Sequence, residues 1–221
     1  MAAAEHAARP AANTRGDAAP GRFVTPAKAH GRIGPNAITR VAEALLAEAG
    51  PAARAEIFGR AGLAAYLHEP PQEMVDEREV IALHAALRSG LPADTLHRVN
   101  RDAGARTGAY LLAHRIPRPV RVLLRSMPAP LAARLLVAAI GRNAWTFAGT
   151  ARFSARGRRP VGFTLVDCPM CRGARAGEPC CDFYTGCFEY LFRTLVHRNT
   201  RVQETSCVAQ GAAQCQFDVH W

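Results

Sequence analysis

The sequence RVQETSCVAQGAAQCQFDV, residues 201–219, predicts a β-hairpin that closes the fold. Gly211 lies where a turn is needed, and Cys215 and Phe217 occupy alternate positions, as on a strand with one buried face. Cys207 and Cys215 stand on either side of the turn. A hairpin that presents two thiolates in this way is typical of a zinc site.

Cysteine is confined to the end of the chain. All seven cysteines lie between Cys168 and Cys215, and none precedes them. The odd count, together with a start that lacks a charged and then apolar leader, indicates a reducing compartment in which thiols are free or metal-bound. We therefore expect a cytoplasmic protein.

Hydrophobic periodicity and turn residues predict helices first and strands later, with prolines breaking the helical pattern between residues 117 and 130. The predicted elements are helices at 36–50, 53–67, 72–88, 94–114 and 131–141, strands at 145–154 and 161–166, a helix at 182–197, and strands at 201–208 and 214–219. This order predicts an α+β fold, in which N-terminal helices are followed by strand-strand-helix-strand-strand and an antiparallel sheet packs on helices.

The rest of the composition sets limits on domains and partners. Residues 1–31 predict a flexible tail, because they are rich in Ala, Pro, Arg and Gly and show no apolar period, and residues 32–221 predict a single domain. The net charge of +10 comes mainly from arginine and does not by itself indicate a polyanion partner, so we expect no nucleic acid. The most apolar stretch, 131–140, is too short to span a membrane.

Two motifs resemble the 4-vinyl-reductase domain family. Glu178-Pro-Cys-Cys181-Asp-Phe-Tyr-Thr-Gly186 leads into a helix, and Glu204-Thr-Ser-Cys207 opens the hairpin that continues to Cys215. The resemblance covers the last hundred residues, so we place the zinc-binding part at about 120–221. It implies a zinc ion held by four protein ligands, which leave no open position and make the ion structural. These ligands are Cys181, Glu204, Cys207 and Cys215.

Two features of the cysteine pattern need more than this ligand set. Glu204 and Cys207 are three residues apart and would face opposite sides of a regular strand, so a bulge or strand end must bring them together. Cys168, Cys171 and Cys180 are left over; they would hold a second metal, form a redox dithiol of the C-x-x-C type, or supply a replacement zinc ligand.

Within the family, the run Cys168-Pro-Met-Cys-Arg-Gly173, the chain length and the helical N-terminal half resemble members that act in bacteriochlorophyll biosynthesis. This resemblance implies that the protein binds a Mg-tetrapyrrole, a divinyl protochlorophyllide or chlorophyllide-type intermediate, and assists reduction of its 8-vinyl group. It further implies a homodimer that works with other enzymes of the same synthesis, with peripheral contact to the photosynthetic membrane.

A flat apolar ring with carboxylate groups requires apolar walls and cations at the rim. The residues selected for this role are Tyr110, His114, Arg115, Trp145 and Phe147. The chain has no G-x-G-x-x-G after a strand and no P-loop, so we predict no nucleotide cofactor. Two alternatives stay open: the chain is the vinyl reductase or a subunit of it, or it is a small-molecule sensing regulatory module.

Overall fold

The computed structural model describes residues 31–158 and 160–221. The predicted tail, residues 1–31, therefore lies outside the described residues except for its last position. In chain order the elements are β1 (Arg32–Ile33), α1 (Asn36–Arg60), β2 (Val75–Asp76), α2 (Glu77–Gly90), α3 (Ala93–His114), α4 (Arg118–Ser126), α5 (Ala129–Arg142), β3 (Arg152–Arg156), β4 (Val161–Val166), α6 (Asp182–Leu195), β5 (Arg201–Ser206) and β6 (Cys215–His220). The predicted α+β fold class is confirmed.

Helix α1 joins two predicted helices. Gly50 adopts a φ of +83°, and the helix resumes at Pro51, whose missing N–H is not needed in the first turn of a new segment. The predicted break at this position is thus a kink, because the two segments continue end to end. The second segment ends at Arg60 and not at Leu67, since residues 64–67 form a separate 3₁₀ turn.

Helix α2 begins five residues later than predicted, because Val75 and Asp76 pair with the short strand β1 instead. The Asp76 side chain accepts a hydrogen bond from the Arg78 backbone N–H at 2.8 Å and caps the helix. The apolar face predicted for this helix is buried, and it includes Leu83 and His84.

Prolines between residues 117 and 130 start helices instead of only separating them. Pro119 lies in the first turn of α4 and Pro130 in the first turn of α5, positions where the missing N–H costs no hydrogen bond. Helix α4 was not predicted, and this rule is the reason that it forms. No helix in the described part of the chain is both long enough and apolar enough to cross a membrane.

Helices α3 and α6 touch backbone to backbone. A Cβ added at Gly104 would overlap the Phe183 carbonyl oxygen, and one added at Gly186 would overlap the Arg101 carbonyl oxygen. Glycine at both positions therefore sets the distance between the two helices. This contact joins the N-terminal helices to the C-terminal part of the fold.

The four-stranded antiparallel sheet has the order β3-β4-β6-β5, and α6 packs against it. The buried face carries Phe163 on β4 opposite Phe217 on β6, with Phe188 of α6 stacked on Phe163. The prediction of a strand over 145–154 was wrong at its start. Residues 144–146 form a 3₁₀ turn, and the strand begins only at Arg152, after Gly149 with a φ of +59°.

Candidate metal centre

Buried sulfur from three parts of the chain meets in the core behind the sheet. One part is the turn after β4, the second is the segment that leads into α6, and the third is the β5–β6 hairpin. All seven cysteines are buried and none forms a disulfide. The sulfur atoms that meet belong to Cys168, Cys171, Cys180, Cys181, Cys207 and Cys215.

The four predicted zinc ligands come together. One ligand atom from each of Cys181, Glu204, Cys207 and Cys215 lies within 4.8 Å of all the others. The sulfur of Cys181 is 4.0 Å from that of Cys207 and 3.8 Å from that of Cys215, and the last two are 3.9 Å apart. Thiolates bound at 2.3 Å to a tetrahedral zinc ion lie about 3.8 Å from one another. The spacing of the sulfurs therefore fits a tetrahedral metal.

Glu204 is the second observation that points to a cation. Its Oε2 accepts a hydrogen bond from the Cys181 backbone N–H at 2.7 Å, but its Oε1 is buried without a partner among the described residues. Burial and the neighbouring Cys207 raise the pKa of this carboxyl to about 8. A metal ion would supply the partner that Oε1 lacks and would favour the charged carboxylate.

The β5–β6 hairpin bends as the predicted ligand set requires. The register between the two strands shifts between Glu204 and Ser206, so Glu204 and Cys207 reach the same side. Gly211 closes the turn with a φ of +89°. The Val208 backbone N–H lies 3.4 Å from the Cys215 sulfur and donates to it, which stabilises a thiolate there.

A second set of four sulfurs shares two members with the first. Cys168, Cys171, Cys181 and Cys215 also lie within 4.8 Å of one another. This set differs from the one expected for the leftover cysteines, because Cys180 lies 4.0 Å from the Cys207 sulfur instead of joining Cys168 and Cys171 as a separate trio. The C-x-x-C spacing was a visible signal for the pair, but its partners were already assigned to the first set.

The metal-free thiols resist ionisation. Burial raises the pKa of Cys168, and hydrogen bonds from the surrounding thiols raise the pKa of Cys181 well above its usual value. Burial alone raises the pKa of Cys187, which contacts no other sulfur in the described part, to about 12. A divalent cation would reverse this for the clustered thiols, because it stabilises their thiolate form.

The residues selected for a pigment pocket are divided between separate places. Tyr110 and His114 stack on each other on α3, with ring centroids 4.5 Å apart. Phe147 belongs to the aromatic core beside the metal centre, where the Tyr184 hydroxyl donates to its carbonyl oxygen at 2.9 Å. Trp145 is 63% exposed. Among the described residues no hydrogen bond, ion pair or ring contact joins the α3 pair to the other two.

Arg115, the remaining member of that selection, is exposed at the end of α3. Three surface cavities in the described part of the chain are lined by other residues. The one between α5 and β3 has a volume of about 430 Å³ and is lined by Arg134, Val137, Ala138, Gly141, Phe153, Ser154, Ala155, Gly157 and Arg158.

Comparison with known proteins agrees with the fold and with the cysteine-rich centre. The model of the 4-vinyl-reductase domain family matches residues 161–221, which contain every candidate ligand and lie within the predicted zinc-binding part. The resemblance to this family is thereby confirmed.

Curated relatives extend the likeness over most of the chain. The bacteriochlorophyll synthase 23 kDa chain of Cereibacter sphaeroides is 40% identical over 88% of this chain and 92% of its own length. The chain of the same name from Rhodobacter capsulatus is 38% identical over 86% of this chain and 87% of its own length. The protein belongs to the family of these bacteriochlorophyll synthase 23 kDa chains.

Two solved structures are more distant. An H-NOX protein from S. oneidensis in the Fe(II)NO ligation state aligns with 85% of this chain and 98% of its own, at 9% identity and a TM-score of 0.44. A vinyl-4-reductase family protein from Methanocaldococcus jannaschii aligns with 63% of this chain and 88% of its own, at 14% identity and a TM-score of 0.33. Both likenesses are too weak to carry an argument about function.

Proposed function

We propose that the protein acts in bacteriochlorophyll synthesis by binding a tetrapyrrole intermediate, of the divinyl protochlorophyllide or chlorophyllide type, for reduction of its 8-vinyl group by another component. The observation that supports the pathway is 40% identity, over 88% of this chain, to a protein named bacteriochlorophyll synthase 23 kDa chain. Its partners in this proposal are the other enzymes of the synthesis and a second copy of the chain.

The groove between α5 and β3 is the proposed seat of the pigment. Val137 and Phe153 provide apolar surface, and Arg134 and Arg158 provide cations for the carboxylate groups of the ring. Its volume of about 430 Å³ lies within the range of small-molecule pockets. The groove would hold part of a tetrapyrrole and leave an edge of the ring exposed to a partner enzyme.

The other two cavities suit an anionic pigment less well. The cavity beside β2 is lined by Glu73, Asp76 and Glu79, which would repel carboxylates. The cavity beside the β5–β6 hairpin has small residues and backbone with a single cation, Arg175. Charge therefore favours the α5–β3 groove.

We assign zinc to the set Cys181, Glu204, Cys207 and Cys215. Four protein ligands would make the ion structural, and it would connect the hairpin to the start of α6. Because α6 carries aromatic side chains that pack on the sheet beside β3, a fixed α6 supports the wall of the groove.

A titration tests the binding function. Purified protein is titrated with divinyl and with monovinyl protochlorophyllide while the Soret band is followed, and a shift with saturation is expected. Arg134→Ala combined with Arg158→Ala should weaken binding by about 10-fold or more, since each charge-assisted contact contributes about 1.5 kcal/mol. Arg60→Ala, an exposed arginine on α1, is the matched control.

The absence of any spectral change with either pigment would overturn the proposal. Addition of NADPH, reduced flavin or reduced ferredoxin to the same mixture separates the alternative enzymatic role. Conversion of the divinyl to the monovinyl pigment by the purified chain would establish a reductase instead of a binding protein.

We also propose peripheral contact with an anionic membrane. Between Asp102 and Asp167 the chain has eleven arginines and no acidic residue. Helices α4 and α5 lie in this segment and expose apolar side chains, of which Val122 is 68% and Leu123 is 53% exposed. Exposed apolar groups beside arginines suit the surface of a bilayer that contains anionic lipid.

A further inference from the structure

The two sets of candidate ligands share an edge. Cys181 and Cys215 belong to both, and their sulfur atoms are 3.8 Å apart. We propose that the centre binds two zinc ions, bridged by the thiolates of Cys181 and Cys215. Glu204 and Cys207 complete the first ion, and Cys168 and Cys171 complete the second. The proposal rests on the zinc site proposed above and adds a second ion to it.

The sulfur distances of the second set match the same geometry as those of the first. The Cys168 sulfur is 3.6 Å from that of Cys181, and the Cys171 sulfur is 3.4 Å from that of Cys215. These values are near the edge of about 3.8 Å expected for a tetrahedral zinc–thiolate site. Each leftover cysteine thus lies next to a different bridging sulfur, as two tetrahedra with a common edge require.

The turn that carries the leftover pair is fixed by contacts outside the cluster. Arg88 of α2 donates to the Met170 carbonyl oxygen at 2.6 Å, and Arg172 donates to the Asp167 carboxylate at 2.9 Å. Asp167 has a φ of +63°, which is positive for no other non-glycine residue in the described part of the chain. A strained backbone held by two arginines orients the two thiols toward the shared sulfurs.

Charge also favours a second ion. With one zinc ion in the first set, Cys168 and Cys171 would stay as buried thiols beside metal-bound sulfur. Two zinc ions with five thiolates and one carboxylate carry the same formal charge as one zinc ion with three thiolates and one carboxylate. The second ion therefore adds four metal–ligand bonds without adding net charge to the interior.

The number of zinc ions in the purified full-length chain tests this directly. Native mass spectrometry and elemental analysis should give two zinc ions per chain. One ion per chain at saturating zinc would overturn the shared centre and leave the four-ligand zinc site standing. A chain that folds but binds no zinc would overturn both proposals.

Cobalt(II) tests the bridge itself. After replacement of zinc, two cobalt ions joined by thiolates couple magnetically, so the EPR signal per cobalt should fall as loading rises from one to two ions. A signal proportional to loading up to two ions would contradict bridging.

Matched variants identify the ligands. Cys168→Ser combined with Cys171→Ser should reduce the content from two zinc ions to one. Cys180→Ser, a change at a clustered cysteine that belongs to neither set, should keep two, and so should Cys187→Ser in α6. Equal zinc content in the double variant and the wild type would overturn the assignment. The measurement on the wild type decides the stoichiometry even if the double variant fails to fold.

Discussion

The Glu204 side chain accepts a hydrogen bond from the Cys181 backbone N–H through one oxygen and leaves the other oxygen unpaired beside the sulfur cluster. One carboxylate thus both fixes the start of α6 and faces the proposed metal. Conversion to an amide keeps the size of the side chain and removes the charge.

Glu204→Gln should weaken zinc binding by about 10- to 100-fold, because a neutral amide is a poorer ligand than a carboxylate. Competition with a chromophoric chelator measures the affinity. Glu178→Gln is the control, since Glu178 precedes the same helix but has an 83% exposed side chain. Equal affinity of Glu204→Gln and wild type would mean that the carboxylate is not a ligand.

Removal of zinc should destabilise the protein. At free zinc about 1,000 times the dissociation constant, binding to the folded state adds about 4 kcal/mol. For a chain of this size that corresponds to a fall in Tm of roughly 8 to 16 °C on chelation. Cys207→Ser should show a low Tm that a chelator no longer lowers, whereas Cys187→Ser should stay sensitive to the chelator. A wild-type Tm that is indifferent to chelator contradicts a structural zinc.

The α3–α6 contact predicts opposite effects for two glycine substitutions. Gly104→Ala should lower the free energy of unfolding by about 1–3 kcal/mol, because the new methyl group would overlap the Phe183 carbonyl oxygen. Gly141→Ala in α5 meets no atom within 4 Å and should raise it by about 0.5–1 kcal/mol. Denaturant unfolding measures both, and a neutral Gly104→Ala would rule out the close contact.

His84 predicts an acid-sensitive core. Burial, with a smaller effect of Arg88, lowers the pKa of His84 to about 3, whereas the unfolded chain takes up this proton near pH 6.5. The stability that comes from the neutral ring is therefore present above pH 6.5 and is lost as the pH falls toward 3, by up to about 1.4 kcal/mol per unit.

His84→Leu should reduce the loss of stability between pH 7 and pH 5.5, a range to be checked for constant zinc content. Chemical denaturation at each pH measures this loss. His68→Leu changes an exposed histidine and should keep the wild-type slope. A wild-type slope in His84→Leu would assign the acid sensitivity to other groups.

Membrane contact predicts a dependence on lipid charge. The wild type should sediment with vesicles of phosphatidylcholine and phosphatidylglycerol, and about 0.5 M salt should release much of it. Val122→Ser combined with Leu123→Ser should weaken this binding, while Leu46→Ser, a change at a 43% exposed leucine on α1, should not. Equal binding to neutral vesicles would contradict an electrostatic contribution.

Local signals were sufficient for much of the fold and of the first ligand set. The hairpin around Gly211, the helix after Cys181 and the need for a bulge after Glu204 follow from spacing alone, and all three are present. Helix α4 was missed because Pro119 was taken as a break, although proline in a first turn costs no hydrogen bond. The aromatic residues before Gly149 suggested a strand, but this glycine turns the chain first.

The sharing of Cys181 and Cys215 between two ligand sets could not be predicted, because no spacing in the sequence records it. It arises where the turn after β4 meets the hairpin, and Arg88, 82 residues before Met170, helps to hold that turn. The pigment residues failed to gather for a similar reason: apolar and cationic residues are frequent, and only tertiary contacts select among them.

The glycine contact between α3 and α6 has a consequence for synthesis on the ribosome. The Gly104 surface emerges about eighty residues before Gly186, the glycine on its partner helix. Throughout that interval the nascent N-terminal helices have an uncovered flank, which invites chaperone binding or association between neighbouring polysomes. Folding of the first half is thus postponed until translation is almost complete.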